Sequence, residues 1–278
     1  MIVDSHCHAW RHWPYQPPVP DPDSRGRVEQ LLWEMDRAGV DRAVLVCARI
    51  DHNPDNNAYG YESVSRHRDR LDMFADIDCL WSDTYHAPGA ADRLNAAIDQ
   101  YHLKGFTHYV RADDDGSWYL SAEGRAFWRV AARRRQIASL AIPWRLQPVL
   151  RQVAAAFPDI TLLCHHMAGA RVADPASIAE IARSSETPNI WIKLSGFHYA
   201  SQVEWGFPYD DCEPIVRVLY HRFGPERLCW GSDYPVVRRG MTYRQSLEAL
   251  RSRAPFIAES EMGRILGGTL ADLLARSG

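Results

Sequence analysis

Short, near-continuous apolar runs alternate along the whole chain with longer stretches whose apolar positions recur every three to four residues. Runs of the first kind suit strands buried on both faces. They predict strands at Ile2–His8, Arg42–Val46, Met73–Ile77, Leu103–Val110, Ile137–Ile142, Ile160–His165, Ile190–Ser195 and Leu228–Gly231. Helices are predicted between them at Arg27–Ala38, Ala58–Arg68, Ala90–Gln100, Ala122–Arg134, Leu146–Phe157, Asp174–Arg183, Glu213–Arg222 and Tyr243–Ala254, with a closing helix at Glu261–Ala275. Gly39 precedes the second strand and Gly224-Pro225 the last, where helix-stop signals belong. Strands alternating with helices argue for a parallel sheet. Eight repeats of about thirty residues fit a closed (β/α)8 barrel, the TIM-barrel architecture, as one domain over residues 1–278. An open doubly wound sheet is the competing arrangement. Its nucleotide-binding form is weakened because no G-x-G-x-x-G follows the first strand and no G-x-x-x-x-G-K-[ST] occurs.

Composition narrows the function classes. Hydrophobic residues make up 46% and charged residues 24% of 278 positions, the values of an ordinary globular chain. The net charge of −3 offers no basic surplus for nucleic acid or an anionic membrane, so neither is expected as a partner. No stretch is long and apolar enough to span a bilayer. The N-terminal MIVDSHCHAW lacks the basic-then-apolar layout of a secretory signal, and the six cysteines are scattered. A cytoplasmic protein with reduced thiols is the expectation, with a small molecule as its substrate and a homo-oligomer as an open possibility. The positive charge is unusual, for Lys104 and Lys193 are the only lysines among 30 arginines.

In a barrel, chemistry collects where strands end and the following loops begin. The first strand ends in Asp4-Ser5-His6-Cys7-His8, and strand alternation predicts Asp4, His6 and His8 on one face. Two imidazoles so placed can share a divalent ion, although H-x-H alone describes hydrogen-bonded loop histidines as readily. Two other strand ends raise the first reading. The sixth closes in Cys164-His165-His166, of which alternation allows only one histidine to point inward, and the eighth in Trp230-Gly231-Ser232-Asp233-Tyr234-Pro235. Asp233 can bind a metal or take a proton from a metal-bound water. Three enlarged loops, at residues 9–26, 111–121 and 196–211, follow the first, fourth and seventh strands. The last holds Phe197, Tyr199, Trp205, Phe207 and Tyr209, which could wall a pocket for a planar substrate or merely cover the rim.

Together these segments resemble the amidohydrolase superfamily, specifically the amidohydrolase-related branch. That branch contains 2-pyrone-4,6-dicarboxylate lactonase and sugar-lactone hydrolases, with aminocarboxymuconate semialdehyde decarboxylase on another limb. D-x-H-x-H opens the chain, LKG marks the fourth strand and HHMAG looks like the family's H-x-G-G segment. IWIKLSG is similar to its K-L-S-G strand, WGSDYP to its W-G-S-D-[WY]-P ending, and ILGGTLADLL to its final helix. The chain departs at Ala168, which stands for the first glycine, and at Thr269, which stands for the usual asparagine. The resemblance implies His6, His8, His166 and Asp233 as ligands of one divalent ion, zinc first and manganese second. Some pyrone lactonases work without metal, so that mechanism stays open. His166 and Asp233 are implied as catalytic, with Asp233 as general base. The implied reaction is hydrolysis of a lactone carrying a carboxylate or unsaturation; the alternative is non-oxidative decarboxylation of an aromatic or muconate-type acid. No G-x-S-x-G supports a serine hydrolase.

Arg49 and Arg111, at the ends of the second and fourth strands, are candidates for gripping a substrate carboxylate because a guanidinium binds it bidentately. His108, Trp144, His198 and Tyr199 are further lining candidates. Lys193 is read as pairing structurally with an acidic neighbour such as Asp4, with substrate binding as the alternative; Lys104 is read as scaffold at the bottom of the barrel.

Overall fold

The fold is known from a computed structural model that describes residues 1–278 apart from Pro17, Pro18, Glu204 and Trp205. Eight parallel strands lie in sequence order: β1 Val3–Cys7, β2 Arg42–Val46, β3 Leu71–Asp76, β4 Gly105–Tyr109, β5 Ile137–Ala141, β6 Thr161–Cys164, β7 Ile190–Leu194 and β8 Leu228–Trp230. A parallel bridge between Cys7 and Tyr234 and a bond from the Asp233 amide to the His6 carbonyl (2.7 Å) bring the two edges together. The result is a (β/α)8 barrel. Helices ring it: α1 Val28–Ala38, α2 Asn56–Arg66, α3 Ala90–Tyr101, α4 Ala122–Arg133, α5 Gln147–Ala156, α6 Pro175–Arg183, α7 Glu213–Phe223 and α8 Tyr243–Arg251. Where one closing helix was expected, Glu259–Gly263 and α9 Thr269–Arg276 are joined by a π-turn at Arg264–Gly268.

Residues of six of the eight strands fill the lower barrel with an apolar plug of Val3, Val44, Val46, Phe74, Ile137, Leu163 and Cys229, closed from below by Leu270, Leu273 and Leu274 of α9. Lys104 sits at that lower end and pairs with Asp72 (3.3 Å), which also holds Arg42 (2.7 Å), so it is scaffold as expected. Strong burial below leaves the upper end as the place where polar groups can gather. Among the described residues no helix is long and apolar enough to cross a membrane, and all six cysteines are free and buried.

Two local departures from ideal strand geometry shape that upper end. The β1–β2 register shifts between Asp4 and Cys7, and a bulge of this kind resets which face each side chain takes. Val3 joins the inner plug, whereas Asp4 accepts bonds from the Tyr243 hydroxyl of α8 (3.0 Å) and the Ser232 amide (2.8 Å). Asp4 is thus not on the face shared by His6 and His8, and its carboxylate fastens β1 to β8 and α8. After β6, His166, Met167 and Ala168 all have φ near +50°. That left-handed run costs energy for residues with a Cβ. It turns the chain sharply, so His166 swings back beside His165 instead of pointing away.

Candidate active site

Four side chains from three strand ends converge above the plug. His6 Nε2 and His8 Nε2 are 3.2 Å apart, and each lies 3.5 Å from Asp233 Oδ1; His166 Nε2 is 3.8 Å from the same oxygen. His6, His8 and Asp233 are almost wholly buried. His8 Nδ1 donates to the Val46 carbonyl (2.6 Å), which leaves Nε2 as a lone pair aimed at the cluster. His166 Nδ1 is held by Ser195 Oγ at 3.0 Å. Gly196, at φ +66°, lets the chain pass this histidine, since a Cβ there would come within 2.8 Å of His166 Nδ1.

Electrostatics set the charge of each member. Burial, assisted by the Lys193 ammonium, drives His6 well below its ordinary pKa; burial also takes His166 down to about 4 against the pull of Asp233. For Asp233, burial alone would raise the pKa, but His166, His8 and His198 outweigh it and hold the carboxyl below its ordinary value. Imidazole nitrogens beside one carboxylate are the donor set of a divalent-ion site. The separations among His6, His8 and Asp233, 3.2 to 3.5 Å, are close to the edges of a tetrahedron of ligands at zinc bonding distance, about 3.3 to 3.6 Å. The residues present therefore fit such an ion, and two overlapping groups, His6–His8–Asp233 and His6–His165–His166, bring ligand atoms within 4.8 Å.

Beneath the cluster lies Lys193, fully buried, whose Nζ donates to Ser139 Oγ (2.7 Å) and lies within hydrogen-bond distance of His6 Nδ1 (3.1 Å). Burial brings its pKa down to about 7. The expected ion pair with Asp4 is not formed, because the β1 bulge turns Asp4 outward. Ser139 Oγ in turn lies 2.7 Å from His165 Nε2, and His165 packs edge-on against His6 with ring centroids 4.4 Å apart. Both adjacent histidines thus face the cluster, contrary to the alternation argument; the left-handed turn after β6 is the reason. His165, Ser139 and Ser195 carry no sequence signal of their own, although the H-H pair at a strand end could have been read as two inward residues.

Tyr199 and His198 stand at the rim, in the short helix Phe197–Ala200. Tyr199 lies edge-on to His166 (5.1 Å) and its ring is 3.9 Å from that of His198. Trp144 lies near Gly169, just past the His166 turn, where a Cβ on the glycine would come within 3.5 Å of the Trp144 backbone nitrogen. Three other candidates are not brought to the cluster. His108 faces outward from β4, donates to the Ile77 carbonyl (2.9 Å) and accepts from the Tyr119 hydroxyl (3.1 Å). Arg49 is exposed, with Nε on the Pro54 carbonyl (2.8 Å), and Arg111 lies over the Tyr85 ring (4.6 Å) with Nε on the Leu80 carbonyl (3.3 Å). Alternation instead turns Tyr109 inward, and its ring meets His165 at 5.1 Å. Loop residue Trp205 falls outside the described residues.

Polar atoms without a partner mark the open side. Asp233 Oδ2, His165 Nδ1 and both nitrogens of His198 are buried and make no hydrogen bond. Such atoms are uncommon in folded chains, and these four lie at the cluster and its rim.

Comparison with known proteins agrees with this geometry. The amidohydrolase family profile matches residues 3–276. An L-fucono-1,5-lactonase from Burkholderia ambifaria is 28% identical over 250 residues, 85% of this chain and 81% of its own. A Burkholderia multivorans amidohydrolase with bound zinc has the same fold at a TM-score of 0.79, with 22% identity and 99% of each chain covered. A probable 2-pyrone-4,6-dicarboxylic acid hydrolase from Acinetobacter baumannii, with citric acid bound, superposes at 0.75, with 16% identity over 99% of each chain. With the profile spanning β1 to α9, the chain belongs to the amidohydrolase family.

Proposed function

We propose that this enzyme opens a lactone ring by hydrolysis, and that residues 1–278 act as one catalytic unit in the cytoplasm. The observation that carries the reading is the split environment of Asp233: Oδ1 sits against three imidazoles, while Oδ2 is buried with no partner. A carboxylate so divided can stay anchored by one oxygen and exchange a proton through the other. The names of the relatives favour cyclic esters as substrates.

His6, His8, His166 and Asp233 would hold one divalent cation, zinc before manganese, which when bound supplies an activated water and polarises the ester carbonyl. Asp233 Oδ2 takes the proton of the attacking water and returns one to the departing alkoxide or enolate. Val46 and Ser195 keep the rings of His8 and His166 in the orientation that this requires. Lys193 does the same for His6 from below.

The test is a pH-indicator screen of sugar lactones, muconolactones and pyrones, combined with elemental analysis of the same purified protein. Acid release from a lactone is the expected result. Release of CO₂ with proton uptake from an aromatic or muconate-type acid would establish the decarboxylase instead. Full activity in metal-free protein would leave the hydrolysis standing and remove the cation from it.

A further inference from the structure

The cluster accounts for bond cleavage, and its charge explains little about which lactone enters. That question turns on the rim, where three loops meet. Arg239 closes the turn Val236–Arg239 after β8, His198 follows β7, and Tyr15 lies in the loop after β1. The Arg239 guanidinium lies 5.2 Å over the Tyr15 ring. Among the described residues it has no carboxylate within ion-pair distance and no hydrogen bond. His198 presents two buried nitrogens with no partner, its ring 3.9 Å from Tyr199, which in turn touches His166. A Cβ placed on Gly240, next to Arg239, would come within 3.6 Å of His198 Cβ and would collide with the Tyr209 hydroxyl. The loop after β8 therefore passes beside His198.

From this arrangement we propose that Arg239 and His198 form a subsite for a carboxylate on the substrate, with Tyr15 fixing the guanidinium and Tyr199 joining the subsite to the catalytic cluster. The inference rests on the lactone reading above and specifies its substrate class. A stacked arginine is held in one plane yet keeps its donor edge free, which suits bidentate binding of a carboxylate. The positive charge of Arg239 acts on Tyr15, Tyr199 and His198 alike, so all three lie within its electrostatic reach. Asp233 also acts on these groups. An anionic substrate approaching that carboxylate needs a compensating cation, and Arg239 provides it. Arg49 and Arg111 cannot serve equally, since both are engaged with backbone carbonyls away from the cluster.

The experiment compares muconolactone with its methyl ester, which share a ring and differ in charge, on wild type, Arg239→Met, Arg239→Lys and Arg238→Met. We expect Arg239→Met to raise KM for the acid at least tenfold and for the ester less than twofold, with kcat changed less than KM. Arg239→Lys should recover part of the loss, and Arg238→Met, one residue away, should behave as wild type. An equal rise for acid and ester, or none, overturns the subsite. Calorimetric binding of trans,trans-muconate provides a readout that needs no turnover. If wild type opens neither lactone, the catalytic reading is in question, and this binding decides the subsite by itself. A tenfold weaker Kd in Arg239→Met supports it, whereas an unchanged Kd, or no binding by wild type, overturns it.

Discussion

The two halves of the barrel mouth are built from the same residue types and differ in where their polar atoms point. On the β2–β4 side, Arg93 grips Asp78 with both Nε and Nη2 (2.8–3.0 Å), and Trp81 and the Arg49 amide donate to Asp76 (2.7 and 2.8 Å). Tyr85 donates to Asp114 (2.6 Å), and His108 lies between a carbonyl and a tyrosine hydroxyl. Histidine, aspartate and arginine there mostly satisfy one another; Asp76 Oδ1 and His86 Nε2 are the exceptions. On the β1–β6–β8 side, by contrast, ring nitrogens face one another across 3.2 Å and one oxygen of Asp233 has no partner. Composition does not separate scaffold from site. Convergence on a shared gap does.

Substitutions on the two halves should diverge accordingly. The largest effect is expected for His6→Ala, which removes a member of the cluster and should lower kcat/KM by about 10²–10³, as loss of a key electrostatic group does. Circular dichroism of the variant should match wild type. A smaller loss is expected one layer down. Lys193→Met keeps the volume while freeing His6 Nδ1, and loss of such a supporting contact typically costs about 10–100-fold in activity or metal affinity. Its Tm should change little, because removing a buried ammonium offsets the loss of its contacts with His6 Nδ1 and Ser139 Oγ. Steady-state kinetics and a thermal melt on the same sample check both halves of that expectation.

On the opposite side the signature reverses. Arg93→Ala leaves the nearly buried Asp78 without its guanidinium and should destabilise the fold by about 1–3 kcal/mol in urea titration, with kcat/KM at 25 °C unchanged. Smallest of all are Arg49→Ala and Arg111→Ala, exposed groups whose loss should shift stability by no more than about 0.5 kcal/mol and kcat/KM by less than twofold. A tenfold activity loss in either would return these arginines to the substrate.

Much of the barrel can be read from the apolar runs, because strands buried on both faces must be nearly continuous in hydrophobic residues. All eight lie where the pattern places them, with ends shifted by a few residues. The convergence of His6, His8, His166 and Asp233 follows from barrel closure once the strand ends are known. What the pattern cannot show is irregular backbone. Nothing in Asp4-Ser5-His6 announces a bulge, so Asp4 is assigned to the wrong face and Lys193 to the wrong partner. The left-handed run at His166–Ala168 likewise defeats simple alternation, although the family's glycine at the position of Ala168 hints at it. Arg239 gives no signal at all, being one exposed arginine among 30. Its place over Tyr15 depends on two loops far apart in sequence.

Asp233→Asn tests the central claim most directly. Asp233 has φ +60°, a region asparagine tolerates better than other residues with a Cβ, so the backbone should keep its shape while the proton acceptor is lost. Proton release from the best lactone substrate, followed by pH-stat on wild type and variant side by side, should fall by about 10²–10⁴ in the variant. Equal rates of acid release in the two proteins would contradict the assignment of Asp233 and, with it, the hydrolytic centre proposed at this end of the barrel.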